Sequence, residues 1–276
     1  MRTFRYVLLD VFTDTALEGN QLAVFTDARD LDPVTMQALA LELNLSETVF
    51  VLPPQGDGHV RIRIFTPRDE LPFAGHPTLG AAFALAAPLQ LMIIRIETAA
   101  GVVPVELERG QNGRIVFGTM QQPIPTFAPY ERAEELLEVL GVSSSLPVEV
   151  YDNGVQHVYV ACASEDEVAS VGPDVSRFGV IGINCFARAD EHWKTRMFGM
   201  GLREDPATGS AAGPLVVHLC RHGLVPWGTR IELHQGVELG RPSTLYALAA
   251  GSDAGIERVE VGGCAVTVAR GEFRIP

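Results

Sequence analysis

The chain has 276 residues, 47% of them hydrophobic and 20% charged; that is length for one large or two modest domains and enough apolar material for a core, which excludes wholesale disorder. Its 21 Lys and Arg against 34 Asp and Glu leave a net charge of −13, and an acidic chain without a basic run repels phosphate backbones, which argues against a nucleic-acid partner. Lys194 is the only lysine and has no glycine-rich loop beside it, so chemistry that needs a lysine Schiff base, pyridoxal phosphate included, is set aside.

The opening Met1–Tyr6 runs straight into a strand-like stretch, and apolar windows such as Leu79–Leu91 are too short and too interrupted by Gly and Pro to cross a bilayer. The expectation is a soluble, cytoplasmic protein with no membrane partner. Cys162, Cys185, Cys220 and Cys264 form no CxxC pair and read as free thiols of a reducing compartment.

In chain order, Phe4–Val11 reads as a buried strand, Leu17–Gln21 as a turn and Leu22–Phe25 as a second strand. Asp32 caps a helix whose first position suits Pro33; Met36, Leu39 and Leu43 share one face, and Asn44 tolerates the left-handed backbone that ends it. Thr48–Leu52 and the alternating Val60–Ile64 are strands. A helix over Pro77–Ala87 is stopped by Pro88, and strands follow at Leu91–Glu97 and Val102–Glu108. Gln121–Pro125 breaks the pattern, dividing the chain into residues 1–122 and 123–276, with the last strand free to return to the first half. The second half reads as a helix over Ala133–Leu140 stopped by Gly141, a hairpin turned at Asn153-Gly154, and a short strand at Asn184–Ala187. A helix over Ser210–His222 precedes strands at Arg230–His234, Thr244–Ala249, Arg258–Val261 and Ala265–Ala269. The fold class is α+β: two halves, each a mostly antiparallel sheet around one main helix.

The two main helices start alike, Gly75-His76-Pro77-Thr78 and Thr208-Gly209-Ser210-Ala211, a hint of internal duplication. A helix start offers unpaired N–H groups and a partial positive charge to an anion such as a substrate carboxylate; read singly, either motif is close packing around glycine. Glu47, where a helix hands over to a strand, suits a half-buried proton carrier with a raised pKa, although a single Glu is more often just solvated. His76, held between Gly75 and Pro77, is extended before proline and suits orienting a substrate group. Asp205 sits where a helix-start acid usually caps. His218 and His222 are spaced i, i+4 as for a metal, yet no third ligand is evident; they read as a satisfied helical pair rather than a metal site.

These motifs resemble the PhzF family of phenazine biosynthesis proteins. The likeness runs through Gly19-Asn20, Asn44-Leu45-Ser46-Glu47, Arg61–Pro67, Glu70–Pro77, Met120–Pro125, Asn184–Ala187, Glu204–Pro214 and Gln235–Ser243, and His192-Trp193-x-x-Arg196-Met197-Phe198 looks like the phenazine-pathway members. The resemblance implies a diaminopimelate-epimerase-like fold of two pseudo-symmetric halves around a cleft, and a cofactor-free homodimer. It implies isomerisation of trans-2,3-dihydro-3-hydroxyanthranilate by proton transfer from C3 to C1. By position, Glu47 matches the proton-transferring carboxylate, His76 and Asp205 its polar partners, and Gly75, Gly209 and Ser210 the helix starts that receive the small substrate's carboxylate. Two departures stand out. Phe198–Glu204 is shorter than in the family, and the catalytic cysteines of epimerase relatives are absent from both motifs, against two-base racemisation. Two other readings stay open: a PhzF-like isomerase or epimerase acting on another small carboxylic acid, and a non-catalytic ligand-binding protein.

Overall fold

The computed structural model of the chain describes residues 1–172, 174–199 and 202–275. It divides into two units, Met1–Gln121 with Gly262–Pro276, and Gln122–Val261.

The first unit runs β1 (Arg2–Val11), β2 (Asn20–Phe25), α1 (Pro33–Leu43), β3 (Glu47–Leu52), β4 (Val60–Phe65), β5 (Glu70–Leu71), α2 (Gly75–Leu89), β6 (Ile93–Thr98), β7 (Gly101–Arg109) and β8 (Ile115–Gln122). β2 is antiparallel to β1 and, across α1, parallel to β3; β3 is antiparallel to β4. β4 is antiparallel to β5 and, after α2, parallel to β6, which is antiparallel to β7.

The second unit runs β9 (Thr126–Pro129), α3 (Ala133–Leu140), β10 (Glu149–Asp152), β11 (Gln156–Ala161), α4 (Glu165–Ser170), β12 (Gly182–Ala189), β13 (His192–Gly199), β14 (Leu202–Asp205), α5 (Gly209–Arg221), β15 (Ile231–Gln235), β16 (Ser243–Ser252) and β17 (Gly255–Gly263). Its pairing repeats that of the first: β10 antiparallel to β11, β11 parallel to β12 across α4, β12 antiparallel to β13. β13 is then antiparallel to β14 and, after α5, parallel to β15, which is antiparallel to β16. The similar helix starts therefore belong to equivalent elements, α2 and α5, of a repeated topology. The last strand, β18 (Ala265–Ile275), pairs antiparallel along β1.

Local signals account for much of this. Asp32 caps α1 through its side chain and Asn44 ends it at φ 50°, both as expected. α2 and α5 are apolar nearly all round, the pattern of a helix enclosed by its sheet, and every residue of α5 from Gly209 to Cys220 is buried. Small residues make the enclosure possible: a Cβ on Gly80 would come within 2.4 Å of a Leu22 methyl on β2.

Three expectations need correction. α2 begins at Gly75, so His76 is helical rather than extended; the break falls two residues earlier, at Ala74 (φ −151°). Pro88 lies inside the last turn of α2, and Gln90, at φ 53°, ends the helix. The strands β5, β8, β9, β13 and β14 and the short helix α4 were not expected; α4 carries only a Ser164 cap and no apolar period.

Candidate active site

Glu47 is the first residue of β3, a strand buried along its whole length. The left-handed Asn44 turns the chain out of α1, and Glu47 pairs with Leu22 on β2. It is 8% exposed. Its Oε2 lies 3.4 Å from Nε2 of His76, the second residue of α2. The other ring edge of His76 is held from β2, with Asn20 Nδ2 3.3 Å from Nδ1. Gly19 makes that hold possible: at φ +66° any Cβ would lie 2.4 Å from the Val11 carbonyl oxygen, so only glycine brings the chain tightly into Asn20. Burial drives the His76 pKa down to about 3, against a weak opposing hydrogen bond to the Gln21 backbone. The imidazole is thus neutral at neutral pH and touches Glu47 as a dipole rather than as a cation. Ala74, at the N-cap of α2, has no side chain able to cap the first turn, which leaves the N–H groups near Gly75 without that competitor.

In the second unit, Asp205 closes β14 and is 4% exposed. Its Oδ2 accepts a hydrogen bond from Thr208 Oγ1 at 2.7 Å, and Gln235 Nε2 donates both to the Asp205 carbonyl (2.8 Å) and to Thr208 Oγ1 (3.0 Å). With its hydroxyl committed there, Thr208 makes no side-chain cap on α5. The acid expected as a cap instead holds the residue that would have capped. Gly209 and Ser210 follow as the first two residues of α5. Pro214 lacks the N–H that would bond the Ser210 carbonyl, and Asn153 Nδ2 donates to that oxygen instead at 2.9 Å. Gln122 Nε2 likewise donates to the Gly209 carbonyl at 2.8 Å. The Ser210 hydroxyl is 3.0 Å from Nε2 of His157 on β11.

Sequence reasoning missed Asn20, Gln122, Asn153, His157, Thr208 and Gln235 as supports. Gly19-Asn20, Met120–Pro125 and Gln235–Ser243 were in view as stretches of the resemblance, without roles. The repeat adds a signal no single motif carries: Asn20 meets the second residue of α2, and His157 meets the second residue of α5.

Upstream of Asp205, Arg196 grips Glu204 with two hydrogen bonds, at 2.8 and 2.7 Å, and donates to the carbonyls of Val168, Ala169 and Val171 at the C-terminal end of α4. Within the Phe198–Glu204 stretch, Met200 and Gly201 lie outside the described residues.

His218 and His222 do have a third group within reach: Glu149 of β10, the three ligand atoms lying within 4.8 Å of one another. Arg221 fills that place with a fixed cation, donating to Glu149 Oε2 at 2.8 Å and to the Tyr151 hydroxyl. Burial raises the Glu149 pKa, but the hydrogen bonds from Arg221, His222 and Tyr151 outweigh it and hold the carboxyl at about 2. Burial lowers His218 to about 4. Glu149, a partner that the sequence hides, meets Nδ1 of His218 and Nε2 of His222, but the expected satisfied pair is incomplete: the buried Nε2 of His218 has no hydrogen-bond partner among the described residues. All four cysteines are free. Among the described residues, no helix is long and apolar enough to cross a membrane.

A family model described as phenazine biosynthesis-like protein, PhzC-PhzF, matches residues 9–271. The chain belongs to the PhzC-PhzF family. It is 50% identical over 272 residues, 96% of this chain and 98% of the other, to a trans-2,3-dihydro-3-hydroxyanthranilate isomerase from Pseudomonas fluorescens; the chain is an isomerase. A PhzF-family phenazine biosynthesis protein from Bacillus anthracis superposes with a TM-score of 0.87 at 26% identity, covering all of both chains. A hydroxyproline epimerase from Agrobacterium vitis gives a TM-score of 0.68 at 13% identity, over 98% of this chain and 92% of that one. That last likeness concerns the fold alone, which is α+β and epimerase-like.

Proposed function

We propose that this PhzF-family isomerase converts trans-2,3-dihydro-3-hydroxyanthranilate to its amino-ketone tautomer without a cofactor, in phenazine biosynthesis. Glu47 takes the proton from C3 and returns it to C1. The observation that carries the reading is the Glu47 carboxyl, buried at a strand start and faced by a neutral His76 at 3.4 Å. A carboxylate away from bulk water, beside a dipole rather than a counter-ion, keeps the basicity that both halves of a proton transfer need. His76 and Asp205 are the polar partners of the substrate. Gly75, Gly209 and Ser210 receive its carboxylate on backbone N–H groups and a hydroxyl, where charge is stabilised without a cation. The half-identity to an isomerase of that substrate supports this choice of small acid.

The test is incubation of the pure protein with trans-2,3-dihydro-3-hydroxyanthranilate in deuterated water. Consumption is the expected result, with solvent label at C1 to the extent that the Glu47 carboxyl exchanges its proton before returning it. A protein that leaves the compound untouched turns the reading toward another small carboxylic acid on the same residues. The resemblance also carries the expectation of a cytoplasmic homodimer, which a light-scattering mass of twice 29.8 kDa would meet.

A further inference from the structure

Ser210 beside a buried histidine has two opposite chemical readings. In one, the imidazole accepts the hydroxyl proton and makes the serine a nucleophile. In the other, the imidazole donates to the oxygen and leaves the hydroxyl proton for a ligand. The choice depends on which ring nitrogen of His157 carries hydrogen, and the neighbours decide it.

His157 is fully buried, and its Nδ1 faces Asn184 Nδ2 at 3.4 Å. The orientation of that amide is fixed independently. Asn184 Nδ2 donates to the carbonyls of Val158 and Gly182, each at 3.2 Å, and turning the amide over would set its oxygen against both carbonyl oxygens. An amide nitrogen, which can donate but cannot accept, therefore confronts Nδ1, which has to be the ring's lone-pair side. The proton sits on Nε2, 3.0 Å from Ser210 Oγ.

We infer that His157 is a positioning residue: its Nε2–H donates to Ser210 Oγ, so that the Ser210 hydroxyl keeps its own proton to give to the substrate's carboxylate. The arrangement excludes a base-activated serine. It also gives the start of α5 an O–H donor beside its uncapped N–H groups. Burial holds the His157 pKa at about 3, so the ring brings no positive charge to a site where backbone dipoles act. Asn153 on the Ser210 carbonyl and Gln122 on that of Gly209 hold the backbone, so rotation of the hydroxyl is the freedom left for His157 to restrict.

This inference rests on the reading of Ser210 as a carboxylate donor, and the experiment separates the two. Binding of 3-hydroxyanthranilate, a stable aromatic mimic of the substrate, is measured for the wild type, Ser210→Ala, His157→Phe, His157→Gln and the Ser210→Ala/His157→Phe pair. Loss of one hydrogen bond to a charged group predicts binding weakened about ten- to a hundredfold in Ser210→Ala. A similar loss is expected in His157→Phe, with no further loss in the pair and recovery in His157→Gln, whose amide restores a donor. In turnover, KM rises in both single variants while kcat holds, as for an interaction made equally in ground and transition states. If Ser210→Ala binds normally, the carboxylate reading fails and takes the inference with it. If Ser210→Ala weakens binding but folded His157→Phe does not, the inference alone fails. Nitrogen NMR of the wild type needs no variant: protonation at Nε2 is expected, and protonation at Nδ1 overturns the inference.

Discussion

Glu47 and His76 come from different elements of the same unit, the first residue of β3 and the second of α2, and meet at 3.4 Å. Neither is placed by its immediate neighbours in sequence alone. The Asn44 turn delivers one, the uncapped helix start delivers the other, and Asn20 on β2, the strand paired with β3, locks the ring. A neutral imidazole at that distance can orient the carboxyl without neutralising it.

Removing the carboxylate while keeping its shape isolates the proton transfer. Glu47→Gln is expected to lower turnover of trans-2,3-dihydro-3-hydroxyanthranilate by at least about 10²- to 10⁴-fold, the usual weight of a positioned acid–base group. The melting temperature should stay near that of the wild type. Near-normal turnover in the variant would leave the proposed reaction without its base.

His76, His157 and His218 are held at about 3, 3 and 4 by burial. Their ring protons are expected to show no titration between about pH 5 and 8, where free histidines change charge. Proton NMR against pH reads this directly, and a titration of His76 near its ordinary value would replace the dipole at Glu47 with a cation.

The same histidines fix the sign of the acid response. Below about pH 6.5 the unfolded chain binds protons that the native rings refuse, so stability rises with pH across this window and falls on acidification, by up to about 1.4 kcal/mol per pH unit for each ring. Glu149 adds to the loss lower down: its folded pKa of about 2 lies below the ordinary carboxylate range, so its contribution is complete above the unfolded value and vanishes as pH falls toward 2. Urea unfolding measured from neutral pH downward is expected to show a steady decline beginning well above the carboxylate range. A flat profile down to about pH 5 would contradict neutral burial of the histidines.

Gly19 and Gly141 separate two costs of a side chain at positive φ. Gly141→Ala, at φ +69° with nothing within 4 Å, is expected to lose only the conformational cost, about 1 kcal/mol. Gly19→Ala also drives its Cβ into the Val11 carbonyl and should cost roughly 1–3 kcal/mol more, a strain lodged in backbone. Because Asn20 follows directly, activity should fall along with stability. Equal losses in the two variants would mean that the turn yields without disturbing Asn20.

The acidic composition, the single lysine, the caps of α1 and the two glycine-started helices were all legible in the chain, because each is set by neighbours a few residues apart. Residue type and motif also nominated Glu47, His76, Asp205, Gly75, Gly209 and Ser210. His157 was not legible: a lone histidine in the apolar run Val155–Ala161 reads as core, and its meaning lies in Asn184, 27 residues on, and Ser210, 53 residues on. Glu149 was hidden from His218 in the same way, across 69 residues. Local sequence determines which backbone forms and where helices begin, since those choices turn on short-range sterics and hydrogen bonds. Which buried polar group meets which, and so which nitrogen carries a proton, was decided only by the tertiary structure, because burial leaves each donor and acceptor no water to fall back on and the packing of strand against strand and helix supplies its partner.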